Sequence, residues 1–478
     1  MRKRIGTLLA PVIFVTLLLI PMPSLSSEQH KLAAVIGLTM CLWITEALPL
    51  PVTGLLVPTL VILLGIAPAS KALAPFADPI MFLFLGAFVL ARAINLHGLD
   101  KRFAYRVLTL RRVGENPARI LFAYGAVCCF ISMWISNTAT VAMMFPIGLA
   151  IIRTLRTNRH GISDRYATAM MLICAFAASI GGLATPIGTP PNLIGLGFIE
   201  RQLGRHIAFV EWMSFAIPMV IVLFFILFTY LRLFCPAGVS ELKGIRAVLR
   251  DEYNKLGRFT KGERNTLIAF GCTVILWIAP GIFAMTLGDH HPITKHYSQY
   301  VPESIAALTG ALLLFLLPID WKKQQFTIDL KSAFEIDWGV MALFGGGIAL
   351  GQMAFETKLA ESIAQSLTGI LPTDGWAPIL VLAGIATLTS EFTSNTASAN
   401  MIVPVVILLG GSSSLQPTIA ATMAASLGFM LPISTPTNAI VYSSGYIPLM
   451  RMIKYGILLD IIGIIIIFIG TILLIPTQ

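Results

Sequence analysis

The sequence Ser136-Asn137-Thr138-Ala139-Thr140 recurs as Ser394-Asn395-Thr396-Ala397-Ser398, and each copy interrupts a long apolar stretch. A second polar break follows each copy in the same order, Gly188-Thr189-Pro190-Pro191-Asn192 in the first half and Ser434-Thr435-Pro436-Thr437-Asn438 in the second. Proline and glycine end or kink helices, so each cluster predicts an interruption of a helix. Because the two interruptions occur twice in the same order, they predict an internal repeat.

The composition places these breaks in a lipid bilayer. Of the 478 residues, 56% are hydrophobic and only 12% are charged, and apolar runs of about 18 residues or more indicate transmembrane helices. The chain is therefore predicted to be an all-α polytopic membrane protein with about 11 transmembrane helices. The net charge of +10 does not indicate nucleic-acid binding, because Lys and Arg are spread over the loops between apolar runs.

The basic residues instead predict the orientation of the chain. Arg2, Lys3 and Arg4 precede the first apolar run, which places the N-terminus in the cytoplasm, and alternating crossings then place most Lys and Arg on the cytoplasmic side. We expect residues 5–22 to be retained as a span, with a cleaved signal peptide as the alternative. The expected location is the plasma membrane, the inner membrane of a bacterium.

The polar clusters predict two re-entrant hairpins and two broken helices. Residues 119–155 hold the first Ser-Asn-Thr near their middle and end in basic loops on both sides, so this segment enters and leaves through one face; residues 375–411 are its counterpart. Within the membrane, backbone that is not helical is tolerated only where it is buried in protein or lines a water-filled cavity. The broken helices are predicted at 168–198 and 417–446. An odd number of crossings separates the hairpins, which predicts an inverted-topology repeat.

The repeat and the basic loop at 231–264 divide the chain into expected domains. They are N-terminal scaffold helices 1–96, a first transport half 97–230, a cytoplasmic linker 231–264, second scaffold helices 265–356 and a second transport half 357–478.

Each Ser-Asn-Thr tip offers partners for an anion. Ser, Asn and Thr cap helix N-termini, so the second arm of each hairpin is predicted to begin just after the tripeptide. Free backbone N–H groups and the positive end of the helix dipole attract carboxylate oxygens there. Two such tips suit a molecule with two carboxylates.

The same breaks suit a small cation. Unpaired carbonyls and the oxygens of Ser, Thr and Asn are hard ligands, and sodium is the obvious candidate. Ser132 and Ser390 lie four residues before Ser136 and Ser394, so each adds an oxygen on the face of its tip. A proton-coupled carrier would place Asp, Glu or His there. Glu391, the acidic residue near a tip, is interpreted as a structural partner of backbone or of a basic residue, with proton transfer as the alternative.

On these motifs the chain resembles the divalent anion:sodium symporter family, the sodium-coupled carriers of dicarboxylates, tricarboxylates and sulfate. The stretches at 43–51 (Trp-Ile-Thr-Glu-Ala-Leu-Pro-Leu-Pro) and 391–398 are also typical of that family, and the resemblance covers nearly the full length. It implies a homodimer in a lipid bilayer. Each protomer would have a scaffold domain at the dimer interface and a transport domain that moves like an elevator.

The resemblance also implies the site residues. Substrate carboxylates would contact Ser136, Asn137, Thr138, Thr189, Pro190, Ser394, Asn395, Thr396, Thr435 and Pro436. One sodium ion would bind Ser132, Ser136, Asn137 and the carbonyl of Gly188, and a second Ser390, the carbonyl of Thr393, Asn395 and the carbonyl of Ser434. The second break departs from the first at Ser434 and Thr437, which is expected to change the geometry of the second cation site.

The predicted function is secondary active transport, with inward movement of a C4 dicarboxylate such as succinate, malate or fumarate coupled to sodium and no organic cofactor. By the same resemblance, Ala139-Thr140 and Ala397-Ser398 match the sodium-coupled branch. The alternatives are a sodium-independent dicarboxylate or anion exchanger, a sodium symporter for sulfate or citrate and, more remotely, an anion channel. The sequence has no nucleophile triad, zinc motif or phosphate-binding glycine loop, so an enzyme is not predicted.

Overall fold

The computed structural model describes residues 2–157, 162–288, 290–367, 375–410 and 414–476, and most of these residues are α-helical. The α-helices α1 to α23 are, in chain order, Arg2–Leu19, Ser27–Thr45, Leu50–Leu63, Ala69–Ala72, Pro79–His97, Leu99–Leu108, Pro117–Ser132, Asn137–Thr157, Asp164–Gly182, Pro190–Leu203, Phe209–Phe234, Ile245–Lys255, Lys261–Leu287, Pro292–Tyr300, Glu303–Leu316, Leu330–Ala333, Trp338–Glu356, Leu359–Leu367, Ala377–Phe392, Asn395–Gly410, Leu415–Ala424, Pro436–Tyr442 and Leu449–Leu474. A 3-10 helix, Ala74–Ala77, precedes α5.

Within the described residues, one short segment forms a β-hairpin. Strands β1 (Pro318–Asp320) and β2 (Gln325–Phe326) pair antiparallel between α15 and α16. The sequence predicted helices only, and this β-hairpin is the exception. Asp320 accounts for the turn, because its carboxylate accepts from the backbone N–H groups of Lys322 (3.0 Å) and Lys323 (3.3 Å).

The long helices confirm a multi-pass membrane protein. Within the described residues, seven helices are long and apolar enough to cross a bilayer: α5, α8, α9, α11, α13, α17 and α23. An eighth span is formed if α14 and α15, which meet at 61°, are taken together. Three of the shorter apolar helices, α7, α19 and α20, are arms of the predicted hairpins.

Both predicted hairpins are present, α7 with α8 and α19 with α20. Their second arms begin at Asn137 and Asn395, so the prediction that they begin after the tripeptide is wrong. The serine alone is the cap, because Ser136 Oγ accepts from the N–H of Ala139 (3.3 Å) and Ser394 Oγ from that of Ala397 (3.1 Å). Residue 411, the last of the second predicted hairpin, lies outside the described residues.

Both broken helices are also present, α9 with α10 and α21 with α22. Each second segment begins at a proline whose missing N–H costs nothing at a helix start. The residue before it is extended in both halves, with φ −146° and ψ 142° at Thr189 and φ −141° and ψ 149° at Thr435. The two breaks therefore end with the same backbone geometry.

Two equivalent helix crossings join the halves of the chain. At the crossing of α5 with α15, a Cβ on Gly86 would lie 2.5 Å from the carbonyl carbon of Ala307. At the crossing of α17 with α3, a Cβ on Gly346 would lie 2.0 Å from the carbonyl oxygen of Gly54. Each crossing pairs one helix from each half, which is the arrangement that an internal repeat produces.

The hairpins and broken helices interlock across the repeat. Arm α8 of the first hairpin packs on α22 of the second break, and arm α20 of the second hairpin packs on α10 of the first break. This exchange brings both tips and both breaks to one place beside α5 and α17.

Candidate functional site

Both tips and both breaks line a single cavity of about 1100 Å³. All ten residues predicted to contact substrate lie on its wall: Ser136, Asn137, Thr138, Thr189, Pro190, Ser394, Asn395, Thr396, Thr435 and Pro436. Of the predicted sodium ligands, Gly188 and Ser434 line it as well, whereas Ser132, Ser390 and Thr393 are buried behind the tips. The opposite wall is formed by α3, α5 and α17, with Phe84, Phe88 and Leu343 among its side chains.

At the first tip, two side-chain oxygens converge. The hydroxyl of Ser132 donates to Oδ1 of Asn137 at 2.6 Å. Close backbone packing holds the asparagine, because a Cβ on Gly182 would lie 2.4 Å from the same Oδ1 atom and a Cβ on Gly188 would lie 2.5 Å from the carbonyl oxygen of Gly182. Only glycine fits at either position without a shift of its neighbours.

The second tip repeats this pair in a looser setting. Ser390 Oγ lies 2.7 Å from Oδ1 of Asn395 and 2.7 Å from the carbonyl oxygen of Ala425, and either oxygen can accept its hydrogen. The amide of Asn395 makes a long bond, 3.4 Å, to the carbonyl of Ser426. A Cβ on Gly428, the counterpart of Gly182, would lie 3.4 Å from Asn395 Oδ1, an ordinary contact.

These oxygens are of the type that binds small hard cations. In both halves a hydroxyl and an amide oxygen point at each other beside a bend rich in carbonyl groups. Neutral oxygens of this kind suit sodium better than transition metals, which favour nitrogen and sulfur ligands. Among the described residues no group of three or more His, Cys, Asp or Glu side chains could hold a metal ion.

Asn192 and Asn438 close the two breaks, a role that the sequence analysis missed. Nδ2 of Asn192 donates to the carbonyls of Gly182 (3.0 Å) and Thr185 (2.8 Å). Nδ2 of Asn438 donates to those of Gly428 (2.8 Å) and Leu431 (3.0 Å). Both side chains are fully buried. The signal was present, since asparagine stands at the same place in both motifs.

The two hairpins are fastened to the neighbouring breaks by different chemistry. In the first half the hydroxyl of Thr185 donates to the carbonyl of Met133. In the second half the carboxylate of Glu391 accepts from the N–H groups of Met430 (2.7 Å) and Leu431 (3.1 Å) and from the hydroxyl of Ser434 (2.5 Å). The structure thus places Glu391 as a partner of backbone.

The threonines that precede the prolines also differ. Thr435 Oγ1 accepts from the N–H of Asn438 at 3.1 Å and lies 2.7 Å from Oγ1 of Thr437. Thr189 makes no such cap bond, and Pro191 stands where the second half has Thr437. Thr437 lines the cavity as well, although it was not among the predicted contacts.

The charged residues that line the cavity lie at its mouth and not at the tips. Arg92 is paired with Glu335, and Lys255 with Asp251 (2.9 Å) and Glu252 (2.6 Å). The mouth is formed by α6, α12 and the neighbouring ends of α3, α5 and α17. All of these are ends that the basic residues predict to be cytoplasmic.

On the side of the protein away from the cavity mouth, ion pairs join α10 and the α10–α11 connection to α5 and α15. Arg201, near the end of α10, binds Asp78, the N-cap of α5, with Nε 2.7 Å from Oδ2. In the α10–α11 connection, the imidazole of His206 lies 3.3 Å from Glu200 and 3.5 Å from Glu303. Hydrogen bonds to these carboxylates raise the pKa of His206 from its ordinary value of 6.5 to about 10.

Comparisons with known proteins agree with this architecture. Residues 2–475 match the family model described as the sodium:sulfate symporter transmembrane region. The chain is 34% identical, over 99% of its length and 91% of the relative, to the sodium-dependent dicarboxylate transporter SdcS of Staphylococcus saprophyticus. It is 33% identical to SdcS of Staphylococcus aureus strain MRSA252, over 99% of its length and 91% of the relative.

Two solved structures share the fold at low sequence identity. The YdaH transporter of Alcanivorax borkumensis aligns with a TM-score of 0.51 and 14% identity, over 85% of this chain and 86% of that one. MtrF of Neisseria gonorrhoeae, from a class of antimetabolite efflux pumps, aligns with a TM-score of 0.52 and 13% identity, over 86% and 83%. At this identity the likeness concerns the fold alone.

Proposed function

Because the chain belongs to the sodium:sulfate symporter family, we propose that it couples the import of C4 dicarboxylates such as succinate, malate and fumarate to the sodium gradient. One observation carries this proposal: two neutral Ser-Asn-Thr tips from the two halves face a single cavity. The names of the SdcS relatives support a dicarboxylate and sodium dependence.

The proposed substrate site gives each carboxylate a neutral, donor-rich helix end. Helices α8 and α20 begin at the cavity, so their unpaired N–H groups and positive dipole ends face it. Hydroxyls of Thr138 and Thr396 add donors on the cavity wall. A dianion with carboxylates at both ends would engage both helix starts at once, and a monocarboxylate would engage only one.

The asparagine of each tip would link sodium to substrate. Oδ1 of Asn137 already faces the hydroxyl of Ser132, so a cation bound between those oxygens would orient the amide and leave its N–H groups for a carboxylate. Ser390 and Asn395 would do the same in the second half. Binding sites that share a side chain are coupled, and the coupling is reciprocal. Bound sodium would therefore raise the affinity for the dianion.

Movement of the transport halves against the scaffold helices would carry the site across the membrane. We assign residues 97–230 and 357–478 to the moving domain and residues 1–96 and 265–356 to the scaffold, which would also form a homodimer. The cavity reaches the face of α6 and α12, so this conformation would be open to the cytoplasm of a bacterial cell. The contact of Arg201 with Asp78 spans the two domains and would have to break in the outward-facing state.

Uptake into proteoliposomes tests the function. Radiolabelled succinate should accumulate when sodium is outside and not when choline replaces it, and unlabelled malate and fumarate should compete. Counterflow that persists without sodium would instead indicate an exchanger. Competition by sulfate or citrate alone would indicate a different dianion, and flux that does not saturate would indicate a channel.

The tips are tested by two matched variants. Asn137→Ala and Asn395→Ala each remove the oxygen and the amide that sodium and substrate would share. We expect each variant to abolish sodium-dependent uptake, a loss of about 100-fold or more, because neither ligand keeps its full set of partners. Elution as one species on size-exclusion chromatography serves as the folding control. Uptake at the wild-type rate in either variant would refute the site assignment.

A further inference from the structure

The second break contains a hydroxyl pair that the first break lacks. Thr435 and Thr437 lie on the cavity wall with their Oγ1 atoms 2.7 Å apart. In the first half Pro191 occupies the place of Thr437 and has no hydroxyl. The threonines that precede the prolines otherwise match in backbone geometry. The hydroxyl of Thr437 is therefore a chemical difference between the two breaks at the cavity wall.

Counting the donor and acceptor positions of the two hydroxyls indicates which of them donates to the other. A hydroxyl has one hydrogen and two lone pairs. The N–H of Asn438 occupies one lone pair of Thr435 Oγ1. If Thr437 donates to the other, the hydrogen of Thr435 is left without an acceptor among the described residues and can point into the cavity. Thr437 is the more buried of the two residues, 1% against 6% exposed, which places Thr435 nearer to the cavity.

An anion in the cavity favours donation from Thr437 to Thr435 over donation from Thr435 to Thr437. A carboxylate attracts the Thr435 hydrogen, and donation by Thr437 polarises the Thr435 hydroxyl and strengthens the bond to the anion. Thr189 receives neither an N–H cap bond nor a neighbouring hydroxyl. We propose that Thr437 is a positioning residue that acts through Thr435 and makes the second half bind its substrate carboxylate more tightly than the first. This inference rests on the proposed function.

The test compares substrate affinity in variants of the full chain in proteoliposomes. Thr437→Val keeps the shape and removes the hydroxyl, and should raise KM for succinate about three- to tenfold, the scale of one hydrogen bond. The maximal rate and, at saturating succinate, the sodium concentration for half-maximal uptake should stay within about twofold. Thr437→Ser should restore KM. The control is Thr309→Val on α15, where an exposed hydroxyl bonds only the carbonyl of Ile305.

A double-mutant cycle separates action through Thr435 from direct contact. In a Thr435→Val background, Thr437→Val should add nothing to KM, because the hydroxyl through which it acts is gone. Additive effects would overturn the proposal, as would an unchanged KM in Thr437→Val or a Thr437→Ser variant that is equally impaired.

Thermal protection of the purified protein distinguishes a failure of the Thr437 proposal from a failure of the proposed function. Succinate, citrate and sulfate are each added with sodium, and the rise in unfolding temperature reports binding. If only sulfate or citrate protects the wild type, C4-dicarboxylate transport fails, whereas a weaker response of Thr437→Val to that same anion supports the role of Thr437. An equal response overturns it, and protection by none of the three overturns both.

Discussion

The two half-sites have the same plan but are held together differently. The first is closed by close packing, with Gly182 against Asn137 and Gly188 against the carbonyl of Gly182, and by a hydrogen bond from the hydroxyl of Thr185 to the carbonyl of Met133. In the second, the carboxylate of Glu391 binds the break, and Gly428 is in ordinary contact with its asparagine. The repeat thus preserves the two Ser-Asn-Thr tips and lets the groups that support them diverge.

This difference has a physical reason. The Ser-Asn-Thr groups at the tips must match the charge of a ligand in both halves, whereas a buried support needs only to satisfy the backbone that it holds. Neutral packing and a hydrogen-bonded carboxylate both meet that condition. The two halves should therefore respond alike to changes at the tips and unlike to changes behind them.

Glu391 provides the strongest test of this difference. Glu391→Gln replaces one of the two accepting oxygens by an NH₂ group that cannot accept, which leaves the N–H of Met430 or of Leu431 unpaired at a cost of about 1–3 kcal/mol. Uptake should fall about tenfold or more, and the unfolding temperature in detergent should drop.

The control at the equivalent place is Met133→Leu, where only the backbone carbonyl takes part in the link. Its uptake should stay within about twofold of wild type. Equal losses of uptake in Glu391→Gln and Met133→Leu would contradict the conclusion that a carboxylate supports the second half-site and close packing supports the first.

Substitutions of Gly182 and Gly428, the glycines that pack near the tip asparagines, should have an intermediate effect on the sodium dependence of uptake. In Gly182→Ala the new methyl would lie 2.4 Å from Asn137 Oδ1, so the asparagine must move, whereas in Gly428→Ala the distance to Asn395 Oδ1 is 3.4 Å. The sodium concentration for half-maximal uptake should rise about tenfold in Gly182→Ala and less than about threefold in Gly428→Ala. The reverse order would show that packing does not set the first cation site.

The smallest effect concerns the connections that follow the breaks. His206 in the first half faces Glu200 and Glu303, whereas the matching residues 443–448 of the second half contain no charged side chain. The pKa of His206 is raised from 6.5 to about 10. The ion pairs therefore stabilise the fold fully below pH 6.5 and are lost as the pH rises through about 10.

Unfolding temperature measured in detergent from pH 7 to 10 tests this dependence. Wild type should lose stability over that range by more than His206→Gln, in which the charge is absent. The difference should be small, because the imidazole is 54% exposed and solvent screens it. Parallel curves for the two proteins would exclude the ion pairs as a source of stability.

Much of the architecture follows from the duplicated motifs. The helical multi-pass fold was predicted from the composition and the apolar runs, and it is confirmed. The family was predicted from the two tripeptides, the proline breaks and the stretches 43–51 and 391–398, and it is confirmed as well. The errors lie at boundaries and in polar segments. The second hairpin arms begin earlier than predicted because serine caps them, and the β-hairpin at 318–326 and helices such as α6 and α12 carry no long apolar run.

The sequence alone determined which residues of the membrane-spanning part form the polar site. Polar residues are costly inside a membrane, so Ser, Asn and Thr clustered within apolar runs indicate a function. It also determined that they come in two matched sets. Only the tertiary structure decided what stands behind each set: Asn192 and Asn438 across their breaks, Gly182 against Asn137, and Glu391 on the backbone of Met430 and Leu431. These contacts depend on distances between segments far apart in the chain, which local composition does not encode.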